Sequence, residues 1–168
     1  MTRPSQMDRA AFLARFGHVF EHSPWVTEAA FDAGLTPAGD TAEGLHAAMV
    51  AALRAAPREK QLALLNAHPD LAGKLAMSGA LTADSTSEQA SAGLDRCTPD
   101  EFRRFTELND AYKAKFGFPF ILAVKGRSRA EILEAFERRV RNTPEEEFAT
   151  ALAQVERITL LRLKDLLP

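Results

Sequence analysis

Four times in this chain a hydroxyl residue is followed three positions later by glutamate: Ser85 with Glu88, Thr98 with Glu101, Ser128 with Glu131, and Thr143 with Glu146. That spacing is a capping box, in which the hydroxyl accepts from the third helical amide and the glutamate reaches back to the amide of the cap. Proline directly follows the hydroxyl in Ser23-Pro24, Thr98-Pro99 and Thr143-Pro144, at the helical position where its missing N–H costs nothing. Gly34 and Gly117 stand where helices need a left-handed exit. So many locally written helix starts constrain the chain to an all-α fold. Helices are expected near 6–20, 24–33, 42–56, 58–66, 70–77, 86–92, 99–116, 129–141 and 144–167. The expected architecture is a single-domain bundle of eight or nine helices over 1–168, with short connections and a flexible segment at 1–6.

Two stretches depart from this pattern. Residues 77–87 (MSGALTADSTS) are small and polar, which marks a loop. Residues 116–124 (FGFPFILAV) resemble a strand without a partner, and a buried loop or single helical turn satisfies the same pattern. Net charge of −2 and a pI near 6.1 leave no basic footprint for nucleic acid or an anionic membrane. No apolar run approaches a membrane span. Cys97 is the single cysteine, so no internal disulfide forms and a reducing compartment is expected. With no histidine near it in sequence, Cys97 is expected to pack rather than to act as a nucleophile. The absence of a signal segment, and an ending in Asp165-Leu166-Leu167-Pro168, lead to the expectation of a cytoplasmic protein.

Arg162 breaks the pattern of its own helix. Phe148, Ala151, Leu152, Val155, Thr159 and Leu166 form an apolar stripe, and at about 100° per residue Arg162 projects into it. A guanidinium keeps its proton, so one turned toward a core needs an anion or several acceptors. A protein carboxylate and an anionic ligand both meet that need.

Three further constellations could carry chemistry. In His68-Pro69-Asp70-Leu71-Ala72-Gly73, Pro69 holds His68 in extended geometry, ending one helix and leaving an imidazole at a junction. It serves as a helix-end cap or as a group for proton transfer near neutral pH. Ser85, Glu88 and Gln89 are explained by capping alone, yet Gln89 adds an amide that donates and accepts beside helix-terminal N–H groups that attract anions. In Phe116 to Val124 a buried irregular backbone would need hydrogen-bond partners, which a planar, polar ligand could supply. A competing signal is His18-Val19-Phe20-Glu21-His22, which matches the H-x-x-E-H pattern of some zinc peptidases. It supports a zinc-dependent hydrolase using His18 and His22 as one alternative. A non-catalytic helical binding protein is the other.

Taken in order, these segments resemble the 2-oxo-4-hydroxy-4-carboxy-5-ureidoimidazoline (OHCU) decarboxylase family. The resemblance rests on Glu21-His22-Ser23-Pro24-Trp25-Val26, His68-Pro69-Asp70-Leu71-Ala72-Gly73-Lys74, and Ser85-x-x-Glu88-Gln89 with Ala92-Gly93-Leu94. It continues through Leu108-Asn109-x-x-Tyr112-x-x-Lys115-Phe116-Gly117-Phe118-Pro119-Phe120 and Ile158-x-x-Leu161-Arg162-Leu163. It implies an all-helical lyase of uric acid degradation that forms (S)-allantoin, uses neither metal nor organic cofactor, and is commonly a homodimer. It carries over His68 as catalytic acid/base with Glu88 as its partner. Ser85, Gln89 and Arg162 carry over as substrate ligands. Pro69 becomes part of the pocket wall, and the backbone of Phe120, Ile121, Leu122, Ala123 and Val124 a seat for the ureido-imidazoline ring. The implied partner is this small molecule, with no nucleic acid or membrane.

Overall fold

A computed structural model describes residues 2–73 and 79–167. Among the described residues eight α-helices follow in order: α1 (Arg9–Phe16), α2 (Trp25–Asp32), α3 (Ala42–Ala55), α4 (Arg58–Asn66), α5 (Ala83–Ser91), α6 (Pro99–Phe116), α7 (Arg129–Arg139) and α8 (Pro144–Leu166). Short 3-10 turns occur at Pro4–Gln6, Pro37–Asp40 and Leu94–Arg96, and no strand forms among the described residues. The all-α expectation holds.

Three of the four capping boxes close in both directions. The Thr98 amide donates to Glu101 Oε1 (2.9 Å) and the Glu101 amide to Thr98 Oγ1 (3.2 Å). The corresponding pairs are 3.1 and 3.2 Å for Ser128 with Glu131, and 3.3 and 3.2 Å for Thr143 with Glu146. The fourth does not form as expected. Thr82 offers the same hydroxyl three residues earlier, so α5 begins at Ala83 and the Ser85 amide donates to Thr82 Oγ1 (3.3 Å). Ser85 then lies in the first turn, four residues before Gln89, and both are buried. Gly117 ends α6 at φ +80, the left-handed exit its position called for.

The chain packs as two compact units, one of residues up to Ala67 together with those from Val155 on, the other His68–Gln154. In the first, α1 stops at Phe16, earlier than the 6–20 expectation. Residues 17–24 form turns that still bury Val19 and Phe20, so apolar spacing alone extended the helix too far. Phe12, Phe16, Phe20, Val26, Leu45, Met49 and Leu53 make this unit's core. Its ends are tied by Ser5, whose amide and hydroxyl both donate to Asp40 (2.8 Å each), and by Arg54, which grips Glu156 at 2.6 and 2.9 Å. Trp25 opens α2 with Lys60 Nζ 5.3 Å from its ring centre.

In the second unit Phe105, Leu108, Tyr112, Phe120, Ile132 and Phe136 are the core. Phe120 stacks on Phe136 with centroids 3.9 Å apart and planes 9° from parallel. The run from Phe118 to Val124 is neither strand nor helix; it is irregular and buried throughout. The helix expected at 70–77 is absent from 70–73, where the backbone turns, and the remainder of that expectation lies outside the described residues.

Candidate functional site

Within the second unit, three side chains grip the segment that follows His68. Gln89 Oε1 accepts from the Ala72 amide (3.0 Å), and its Nε2 donates to the Asp70 carbonyl (3.2 Å). Asn109 Nδ2 donates to the Leu71 carbonyl (3.0 Å), and Lys113 Nζ pairs with Asp70 Oδ2 at 2.8 Å. Asn109 and Lys113 are four residues apart and so share one face of α6. The grip matters because Ala72 has φ +51, a left-handed conformation that L residues avoid without surrounding constraint. His68 and Pro69 are half-buried at the start of this held segment. Glu88 is half-buried on α5, next to the buried Gln89. The structure thus joins Gln89 to the segment carrying His68 and Pro69, and places Ser85 one turn before Gln89 on the same helix.

The run from Phe118 to Val124 has side-chain partners for part of its backbone. Arg139 Nη1 donates to the Ile121 carbonyl (2.6 Å), Gln154 Oε1 accepts from the Ala123 amide (3.0 Å), and Arg127 Nε donates to the Ala123 carbonyl (3.0 Å). Among the described residues, no hydrogen bond takes up the amides of Ile121, Leu122 or Val124. A planar ligand rich in carbonyl oxygens suits such a run, because buried amides need acceptors.

Arg139 is itself held from the other side. Its Nε donates to Glu147 Oε1 (2.9 Å), and Nη2 lies 2.9 Å from the same oxygen. Tyr112 Oη donates to that oxygen as well (2.5 Å), while Asn142 Nδ2 donates to Oε2 (2.9 Å). The guanidinium carbon sits 4.4 Å from the centre of the Phe120 ring. Burial first, and then the bond to Glu147, push the Tyr112 phenol well above its ordinary pKa. Sequence reasoning singled out neither Arg139 nor Glu147. The signal was available: Ile132, Ala135, Phe136 and Arg139 share one face of α7, the same anomaly that marked Arg162.

In the first unit, Arg162 is buried as its position in the stripe required. Nη2 donates to Glu21 Oε2 at 2.9 Å and Nη1 to the Val19 carbonyl at 3.3 Å, and the Glu21 side chain is 1% exposed. A protein carboxylate therefore does meet this guanidinium. The pair also fixes the turn after α1, where Thr159 Oγ1 reaches the same Val19 carbonyl (3.5 Å).

That turn removes the geometric premise of the zinc reading. His18 and His22 were spaced for one helical face, but both lie in turns beyond α1, His22 has φ +48, and its side chain is 67% exposed. Glu21 between them serves Arg162. Among the described residues, no group of three His, Cys, Asp or Glu is placed to hold a metal. Cys97 is half-buried with its Sγ 3.5 Å from the Leu94 carbonyl, and burial, then the charge of Glu101, raise its thiol pKa. That disfavours the thiolate a nucleophile needs. No helix among the described residues is long and apolar enough to cross a membrane.

Comparison with known proteins places these features in one family. The OHCU decarboxylase family model matches residues 5–164. A relative from Halalkalicoccus jeotgali, described as 2-oxo-4-hydroxy-4-carboxy-5-ureidoimidazoline decarboxylase, is 43% identical over 162 residues, covering 96% of this chain and 88% of its own. A crystal structure of (S)-allantoin synthase superposes with a TM-score of 0.75 at 33% identity, covering 98% of this chain and 52% of that one. A crystal structure of OHCU decarboxylase in the presence of (S)-allantoin gives a TM-score of 0.69 at 27% identity, covering 88% of this chain and 94% of that one. The held histidine segment, the buried α5 pair and the irregular aromatic run are all within the matched range, and the chain belongs to the OHCU decarboxylase family.

Proposed function

We propose that this protein decarboxylates OHCU to (S)-allantoin in uric acid degradation, with no metal or organic cofactor. The observation that carries the reading is the family match across nearly the whole chain, which includes His68, Glu88 and their neighbours. The buried polar pair on α5 and the run with open amides supply groups suited to a small, planar, hydrogen-bonding substrate.

In this reading the carbon–carboxylate bond breaks, carbon dioxide leaves, and the electron pair passes into the substrate's conjugated ring. That delocalisation does the work for which other decarboxylases recruit an electron sink. His68 in its protonated form then delivers a proton to one face of the adjacent, ureido-bearing ring carbon, fixing the handedness of the product, while the hydroxyl proton passes to the ring nitrogen that took up the electron pair and that oxygen becomes the carbonyl. Positioned acid–base help of this kind contributes about 10²–10⁴-fold. Glu88 orients the imidazole and favours its charged form. Ser85, Gln89 and Arg162 act as substrate ligands, Pro69 as part of the wall, and the backbone from Phe120 to Val124 as the seat of the ring. Gln89 does this while also bonding Asp70 and Ala72, which ties substrate recognition to the placement of His68. The protein works in the cytoplasm as a homodimer.

The test is freshly generated OHCU supplied to wild type and to His68→Asn, followed by circular dichroism of the allantoin formed. Wild type gives an optically active product, whereas the spontaneous reaction gives racemate. His68→Asn stays folded and loses the chiral signal. A folded His68→Asn protein that still makes (S)-allantoin at the wild-type rate would remove His68 from its catalytic role.

A further inference from the structure

We infer that Arg139 is a positioning residue for substrate binding. Fixed by Glu147, Tyr112 and Asn142, it sets the direction of the Ile121 carbonyl and, through it, the amides of the 120–124 run. The inference rests on the reading of that run as the seat of the substrate ring.

The argument starts from cost. Arg139 is 5% exposed and Glu147 is fully buried, and a buried ion pair is often no more stabilising than well-packed apolar residues of the same volume. An aliphatic pair would hold α7 against α8 at least as well. It could not aim a backbone carbonyl. Arg139 does so with its Nη1, and its planar shape also lets it lie over Phe120, the first residue of the run. Phe120 is in turn stacked on Phe136, so ring and carbonyl at the start of the run are both fixed relative to α7. The guanidinium cannot swing away, because Nε and Nη2 both face Glu147 Oε1. Glu147 is held by Tyr112 from α6 and by Asn142 from the α7–α8 connection. An irregular run has no ladder or helix to define its amide directions, and this chain of contacts supplies that definition. A seat arranged before the ligand arrives loses less conformational freedom on binding.

Lysine at this position keeps the charge but not the fork, so it can bond Glu147 or the Ile121 carbonyl but not both in the same geometry. The experiment compares Arg139→Lys with Thr98→Ala, which removes the capping box of α6 without touching Glu147 or the run. Steady-state kinetics on freshly generated OHCU and affinity for (S)-allantoin are measured for each, with urea unfolding as the stability control. Arg139→Lys is expected to raise KM by about tenfold with kcat within about threefold, the pattern of an interaction made equally in ground and transition states. The allantoin Kd should rise in parallel, while Thr98→Ala loses stability and leaves KM in place. Should Arg139→Lys not fold, Tyr112→Phe takes its role, and a KM increase of about threefold is expected from loosening one of three contacts on Glu147 Oε1.

Hydrogen exchange of the wild-type amides at Ile121, Leu122 and Val124, with and without (S)-allantoin, separates the two layers of the claim. Ligand-dependent protection there, combined with an unchanged KM in Arg139→Lys, overturns the positioning role alone. Equal KM shifts in Arg139→Lys and Thr98→Ala overturn it too, by reducing it to stability. No protection in wild type removes the run as the seat of the substrate, and the inference with it.

Discussion

Replacing Glu21 by glutamine isolates the charge of one carboxylate while keeping its volume. The Glu21 side chain is 1% exposed and that of Arg162 is 5% exposed, so water screens neither group. Arg162 Nη2 is 2.9 Å from Glu21 Oε2, and a glutamine oxygen can still accept from it. Removing one partner of a buried pair costs about 3–5 kcal/mol, because the survivor keeps its buried charge and loses that counter-ion. The retained neutral hydrogen bond places Glu21→Gln at the lower end, about 3 kcal/mol. For a chain of this size about 1 kcal/mol moves Tm by about 2–4 °C, so Tm should fall by roughly 6–12 °C. Urea unfolding, with the change in midpoint multiplied by the slope, measures the loss directly. The double variant Glu21→Gln/Arg162→Met removes both charges and should return to within about 1 kcal/mol of wild type. A loss below about 1 kcal/mol for Glu21→Gln, or a double variant weaker than the sum of the singles, would refute the reasoning. Another group would then be neutralising Arg162.

Two further outcomes follow from the second unit. Tyr112 is the chain's one tyrosine, and its folded pKa lies above the ordinary 10.0, so its stabilising contribution is complete below pH 10.0 and lost as pH rises past it. Tyrosinate absorbance should therefore stay absent from the folded protein above that pH and come in with unfolding; a smooth titration at the ordinary value in folded protein would contradict the buried Glu147 contact. Gln89→Met removes both bonds to the segment after His68 and should cost about 2 kcal/mol, since the Ala72 amide is left without its acceptor. Exchange at the Ala72 amide should accelerate, and an unchanged rate would show that Gln89 does not hold that segment.

Helix starts were the most legible part of this chain, because a capping box is a contact between residues three apart and needs no tertiary context. Thr98, Ser128 and Thr143 behave as their spacing dictates. Ser85 does not, and the reason is local competition. Thr82 carries the same hydroxyl one turn earlier, and starting there lets α5 bury Ser85 and Gln89 together. Apolar spacing carries α1 past its end because Val19 and Phe20 are buried in a turn, where burial no longer implies helical period. Arg162 was legible as a buried cation, yet its carboxylate could not be named: Glu21 is 141 residues away in sequence. Arg139 and Glu147 carry the same signature, a charged residue on the buried face of α7 and of the start of α8. The buried, irregular character of the run was legible in the alternation of Phe116, Phe118 and Phe120 with Gly117 and Pro119, whereas residues 120–124 as a ligand seat came from the family resemblance. What closed that run off, the side chains of Arg139 and Gln154, came from helices far along the chain.

The placement of the two ultraviolet chromophores has a practical consequence for work on this molecule. Trp25 sits in the unit formed by the chain's beginning and end, and Tyr112 in the unit formed by its middle. Each unit thus carries one native optical reporter of its own, with no label to introduce. Coincident tryptophan fluorescence and tyrosine near-ultraviolet dichroism curves in urea would mean one cooperative transition, and separated midpoints would resolve two. The chain is its own instrument for asking whether these halves melt as one body.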